Sequence, residues 1–248
     1  MAGSTALVSL RRTLRSGAAV SCVLVIALGA VPAHAQTTRT SHWGASVSFT
    51  PQWKAHGELQ ELLWAEGDGT IEGSEFTVGI VRGSTTGGEW GVSFVRKPVK
   101  DGVTITRITE DSDSQFSVRQ THRLVFQDVY LQGVEFHGFI PFATIRNRVQ
   151  IGLNLAGGIA RTRGTIEETF ETISQFRLPN GDVITNANTS SNAFPADEIV
   201  YKYQPLGKVE GQVAFILAPF LKVKVGGGFN MPSAACFRMG AVFLIGAK

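Results

Sequence analysis

Between Val149 and Ile159 the chain reads VQIGLNLAGGI. Val149, Ile151, Leu153, Leu155 and Ile159 are apolar and branched, while Gln150, Gly152, Asn154, Ala156 and Gly158 between them are polar or small. A two-residue period is the signature of a strand with one apolar and one polar face. The polar face carries no charge. A strand on the outside of a soluble sheet presents Lys, Glu and Asp to water, whereas amides, glycine and alanine suit the lumen of a narrow barrel whose apolar face meets lipid.

The same period recurs, predicting strands over Trp43–Trp53, Glu72–Arg82, Gly88–Lys97, Val129–Phe142, Gln204–Leu217, Phe220–Phe229 and Cys236–Ala247. With the opening stretch the expected count is eight. Links between the second and third, fourth and fifth, and sixth and seventh strands are a few residues. Those after the first, third and fifth are roughly 18, 30 and 40 residues, far beyond ordinary hairpin loops. Such alternation predicts tight turns at one end of a barrel and long loops at the other. Lys100–Thr121 and Gly164–Tyr203 are polar, and the NANTSSNA tract within the second reads as a mobile, low-complexity loop. In the first long link GELQELLWA has helical spacing, with Leu59, Leu62 and Leu63 set to lie on lipid or cap the mouth.

Residues 1–35 read as a signal peptide preceding a barrel domain over 36–248. Arg11, Arg12 and Arg15 form a basic start, VLVIALGAV an apolar run, and Ala33-His34-Ala35 a small-x-small cleavage site. Three of the 23 basic residues and none of the 20 acidic ones lie before Gln36, so the remainder is balanced despite a pI near 9.0. No basic, aromatic-interleaved patch points to nucleic acid. Beyond Gln36 only Cys236 carries a thiol, which excludes an internal disulfide.

Trp43 and Trp53 stand ten residues apart. At ~3.3 Å per residue and a tilt of ~40° they span roughly 25 Å, the height of an apolar band between aromatic girdles. Trp43, Trp53, Trp90, Tyr130, Phe142 and Phe229 are therefore expected as girdle residues. Inward positions carry Glu75, Glu135, His137, Lys208, Glu210, Lys222, Lys224 and Arg238, an expected lumen ion-pair network in which buried charges neutralise one another. Glu135 and His137 share a face and would suit a base with its orienting carboxylate, but no nucleophile can be placed beside them. Asp111 and Asp113, spaced acids in a Ser-rich loop, read as solvated rather than metal-binding, and His122 with either is a weak candidate for a peptidase rim. No catalytic residue, cofactor or metal is assigned.

Strand count, loop asymmetry, export signal and aromatic ends together resemble the eight-stranded outer membrane protein barrels of the outer membrane protein A and X type. The resemblance covers Trp43–Lys248 and rests on pattern rather than a short motif. It implies an all-β, antiparallel, up-and-down transmembrane barrel in the bacterial outer membrane, monomeric and inserted by the barrel assembly machinery. Its neighbours would be outer-membrane lipid and lipopolysaccharide, with an unspecified extracellular ligand at the loops. Those families finish on a terminal aromatic; here Phe243 is the last aromatic before Ala247-Lys248. The expected role is structural or surface-interacting, with a narrow pore and a lipid- or peptide-directed enzyme as alternatives.

Overall fold

The structure, a computed structural model, describes residues 41–55, 60–61, 65–113, 115–232 and 235–247. The expected signal peptide, Leu59, Leu62 and Leu63 lie outside them. Alternating residues build ten strands among the described residues: β1 His42–Ala55, β2 Ile71–Gly83, β3 Glu89–Pro98, β4 Thr104–Ser112, β5 Phe116–Ile145, β6 Val149–Arg177, β7 Val183–Pro195, β8 Tyr203–Ala218, β9 Leu221–Met231 and β10 Ala235–Leu244. One helical turn, α1, covers Ala196–Ile199.

Eight strands close into a ring in the order β1-β2-β3-β5-β6-β8-β9-β10, with β10 pairing back onto β1 from Gly44↔Leu244 to Phe49↔Met239. Each neighbouring pair is antiparallel. These are the eight strands expected from the alternation. Closure leaves the ring without a free edge, and eight strands enclose a lumen that side chains can fill. The short links β2–β3, β5–β6 and β8–β9 lie at one end, with β1 starting and β10 finishing there. At the other end the β9–β10 link covers only positions 232–234, so the alternation of short and long links stops at the last hairpin.

Two of the long links are not loops. β5 and β6 run for 30 and 29 residues and pair with one another from Phe116↔Phe176 to Ile145↔Val149. Their outer halves leave the barrel and, flanked by β4 and β7, form a four-stranded sheet in the order β4-β5-β6-β7. At ~3.3 Å per residue the dozen or so residues beyond the rim reach roughly 40 Å further. The tract expected to be mobile is β7, paired along its length with β6. Composition misleads here because both faces of the sheet meet water, so Thr, Asn, Ser and Glu replace the apolar half of the pattern while the ladder satisfies the backbone.

The break between barrel and sheet is built locally. The β5–β6 register shifts between Gln127 and Tyr130, Asp128 has φ 52° and Gly164 opposite has φ 103°. A Cβ on Gly164 would stand 2.3 Å from the Asp128 carbonyl oxygen, so glycine is required there. A bulge of this kind bends a strand and raises its twist, which redirects the sheet as it leaves the ring.

Two apolar clusters lie at the ends of the lumen. At the mouth Trp53, Ile71, Val95, Leu131 and Leu206 from the barrel pack with Ile105, Leu124, Phe126, Ile166 and Val200 from the projecting part. At the short-turn end Val81, Val242, Leu244 and Ala247 form a smaller cluster. Gln60 tightens the mouth: its amide nitrogen donates to the Gly69 carbonyl at 3.2 Å and its amide oxygen accepts from the Ile71 N–H at 3.2 Å.

Candidate functional site

Between the apolar clusters the lumen holds two charge networks. In the upper one Glu75 is the hub. Its carboxylate accepts from Lys208 at 2.7 Å, lies 3.3 Å from Lys97, and also binds Arg238 and the Asn230 amide, the last at 2.8 Å. Lys208 bridges to Glu135, and the Arg238 Nε lies 3.2 Å from Glu210. Glu210 also accepts from Asn154 and Gln212, both at 3.0 Å. Three carboxylates thus face three cations, all buried. Removing any one partner would leave a bare charge in a low-dielectric interior. In the lower network Glu89 pairs with Lys222 at 2.7 Å and with Lys224, while Lys222 also donates to the Ser84 carbonyl at 2.7 Å.

Of the expected inward set, the structure brings Glu75, Glu135, Lys208, Glu210 and Arg238 together, and places Lys222 and Lys224 in the second group. His137 joins neither: its Nδ1 lies 3.2 Å from the Ser93 hydroxyl. Sequence reasoning missed Glu89, Lys97, Asn154 and Asn230 as network members. For Glu89 and Lys97 the signal was present, since Glu89, Gly91, Ser93, Val95 and Lys97 form the inward alternation of β3 opposite Trp90, Val92 and Phe94. Ser93 is the hydroxyl that could not be placed beside His137. Around the pair, Glu135 is held by Lys208 and the group borders a cavity of about 50 Å³ inside the barrel. That room suits ordered water.

The outer face is apolar on every barrel strand. Val47, Phe49, Phe76, Val78, Ile80, Val92, Phe94, Val134, Phe136, Ile159, Val209, Phe215, Phe229, Phe237, Met239 and Phe243 are all exposed. From Phe237 to Ile245, eight residues at ~3.3 Å with a tilt of about 40° rise about 20 Å. A monomer in water does not expose a continuous apolar band around its circumference, and a barrel in lipid must. The chain is a transmembrane β-barrel. At the short-turn end Trp43, 53% exposed, meets Trp90 edge-on at 5.9 Å, and Phe142 is 72% exposed. At the other rim Tyr130 lies under the Arg96 guanidinium at 4.6 Å, and Phe229 faces out.

Trp53 corrects the girdle assignment. It is 0% exposed, its Nε1 donates to the Ser74 carbonyl at 2.7 Å, and the Lys97 ammonium lies 5.1 Å over its ring. The β1–β2 register shifts between Thr50 and Trp53, so Pro51 and Gln52 both face outward and the alternation inverts. Proline inside a strand marks such a bulge. The tryptophan spacing therefore does not measure the membrane.

No family model and no curated protein matches the chain. Among solved structures it is similar to Ail, the attachment invasion locus protein of Yersinia pestis, in complex with the heparin analogue sucrose octasulfate, at 10% identity over 82% of this chain and 97% of that one, TM-score 0.25. It is also similar to the β domain of the Bordetella autotransporter BrkA, at 11% identity over 82% and 98%, TM-score 0.30. A third likeness, at 6% identity over 82% and 88% and TM-score 0.12, is to the toluene transporter TodX of P. putida. The strand ring and the apolar belt carry the assignment by themselves.

On the projecting sheet His122 stacks on Phe170 at 4.2 Å and its Nε2 lies 2.7 Å from Glu168. The acids proposed beside His122 are elsewhere: Asp111 pairs across with Val118, and the Asp113 backbone N–H closes the turn onto the Phe116 carbonyl at 2.6 Å. At the base Arg161 donates to Asp197 at 3.0 Å, tying α1 to β6, and this hydrogen bond holds the Asp197 carboxyl below its ordinary range.

Proposed function

We propose that this protein is an outer-membrane barrel whose role is surface interaction, with the closed barrel as anchor and the sheet β4-β5-β6-β7 as the contacting part. The observation that carries this reading is the continuation of β5 and β6, through the bulge at Asp128, from the belt into that sheet. An extension of roughly 40 Å holds its contacts well beyond lipid headgroups, whereas apolar clusters lie at both ends of the lumen. Export, insertion by the barrel assembly machinery and contact with lipopolysaccharide around the belt are part of the same proposal.

The test separates anchor from contact. Replacing positions 173–187 by a two-residue Asn-Gly turn shortens the β6–β7 hairpin while leaving its base, Thr172↔Asn188 and below, in place. The shortened variant is expected to stay in the outer-membrane fraction with heat-modifiable gel mobility, and to lose binding of intact cells to one another or to a host surface. Full binding by the variant, or its recovery with soluble periplasmic proteins, would sink the reading.

A further inference from the structure

The projecting sheet has two outer edges, and they are treated differently. β4 is covered near its base, where Asp68 and Thr106 exchange backbone hydrogen bonds of 2.7 and 2.8 Å, and it carries Arg107, Glu110 and Asp111. Charge and cover are the usual defences of an edge strand. β7 has neither. Its 13 residues include no charged side chain, its only proline is the last residue, and nearly all of it is exposed. Among the described residues nothing pairs with its outer edge.

The order of residues in β7 is close to symmetric about Thr189. Asn188 answers Ser190, Ala187 answers Ser191, Asn186 answers Asn192, Thr185 answers Ala193, and Ile184 answers Phe194. In an antiparallel pair centred on Thr189 these residues stand directly opposite one another on the same face. Amides would then meet amides or hydroxyls, small residues would meet small residues, apolar side chains would meet at both ends, and no like charges would be opposed.

Resting on the surface-interaction reading, we propose that β7 pairs antiparallel with β7 of a second copy of this chain embedded in an opposing membrane. The direction follows from symmetry. Copies in one membrane are related by rotation about its normal, which leaves their β7 strands parallel and the symmetric match unused. A two-fold axis crossing the strand at Thr189 makes the strands antiparallel and turns the second barrel to face the first, closing an isologous contact. Thirteen residues at ~3.3 Å give a joint of roughly 43 Å between the two surfaces. Each protein thus remains a monomer within its own membrane and is joined only across the gap.

The test uses the full chain refolded into lipid vesicles, with clustering followed by light scattering. Wild-type vesicles are expected to cluster. Asn188→Lys with Ser190→Lys sets lysines opposite lysines in the proposed pair, and Asn188→Glu with Ser190→Glu does the same with carboxylates. Each variant alone should cluster at least tenfold more slowly, and mixing the two vesicle populations should restore the rate. The same two charges placed at Pro179 and Asn180, in the turn before β7, control for plain attraction between vesicles and should change the rate less than twofold. Wild-type vesicles that stay dispersed, single variants that cluster like wild type, or a mixture that does not recover would each overturn the pairing. If the pairing fails while replacement of 173–187 still abolishes binding by cells, the contacting role of the sheet stands with another partner.

Discussion

Glu75 shows how much one lumen residue can carry. Three cations and an amide converge on its carboxylate. Glu75→Gln keeps the volume but leaves the upper network with one uncompensated positive charge. Breaking a buried pair in this way costs about 3–5 kcal/mol, so the urea midpoint of the refolded barrel, followed by tryptophan fluorescence in lipid, should fall clearly. Glu72→Gln at the exposed rim, where Glu72 meets Lys100 at 2.7 Å, is expected to leave that midpoint unchanged. Asp197 supplies a pH test. Its carboxyl is held below its ordinary value of 3.8, chiefly by the Arg161 hydrogen bond. A depressed carboxyl stabilises the fold above its unfolded pKa and loses that contribution as pH falls through the folded value. Tethering of α1 should therefore be intact at neutral pH and loosen only below about pH 4. Proteolysis near Lys202 after brief acid exposure would show this; loosening already at pH 5 to 6 would contradict it.

At the scale of the element, β1 and the β6–β7 hairpin show where alternation is readable and where it fails. Period two identified every barrel strand, yet a single bulge at Pro51 and Gln52 turned Trp53 from the lipid face to the core. Proline announces that irregularity, but how many residues bulge depends on the β2 partner. The outer halves of β5 and β6, and all of β7, were hidden for a different reason: a sheet wet on both faces has no apolar stripe to betray it. A paired β7 has a consequence for proteolysis. Trypsin should cut first near Arg177, beside the exposed turn, and a broad-specificity protease should spare positions 186–193, with mass spectrometry mapping the sites. Early cleavage inside that tract would mean that it is not held as a strand.

The whole molecule joins a lipid-facing ring to a water-facing sheet, and its lumen is filled in layers. Apolar clusters cap both ends, the two charge networks lie between them, and the cavity they border holds only about 50 Å³. Refolded protein in a planar bilayer is therefore expected to give no steady current, measured by single-channel recording. Reproducible conductance from wild type would show that the clusters open, and would restore the narrow-pore alternative. A lumen filled in this way suits the proposed anchor, because paired lumen charges resist deformation and leave the projecting sheet as the part able to meet partners.

By itself the sequence determined the eight barrel strands, their lipid-facing sides and most of the charges that point inward, because a two-residue period and a membrane solvent leave little freedom for either face. Tertiary structure decided which carboxylate meets which cation. Glu75 and Arg238 stand 163 positions apart and become partners only when β10 returns to β1 and closes the ring. It also decided that Trp53 faces inward and that β5 and β6 continue past the rim. Both outcomes depend on the register of a neighbouring strand, a non-local quantity that no stretch of chain records alone.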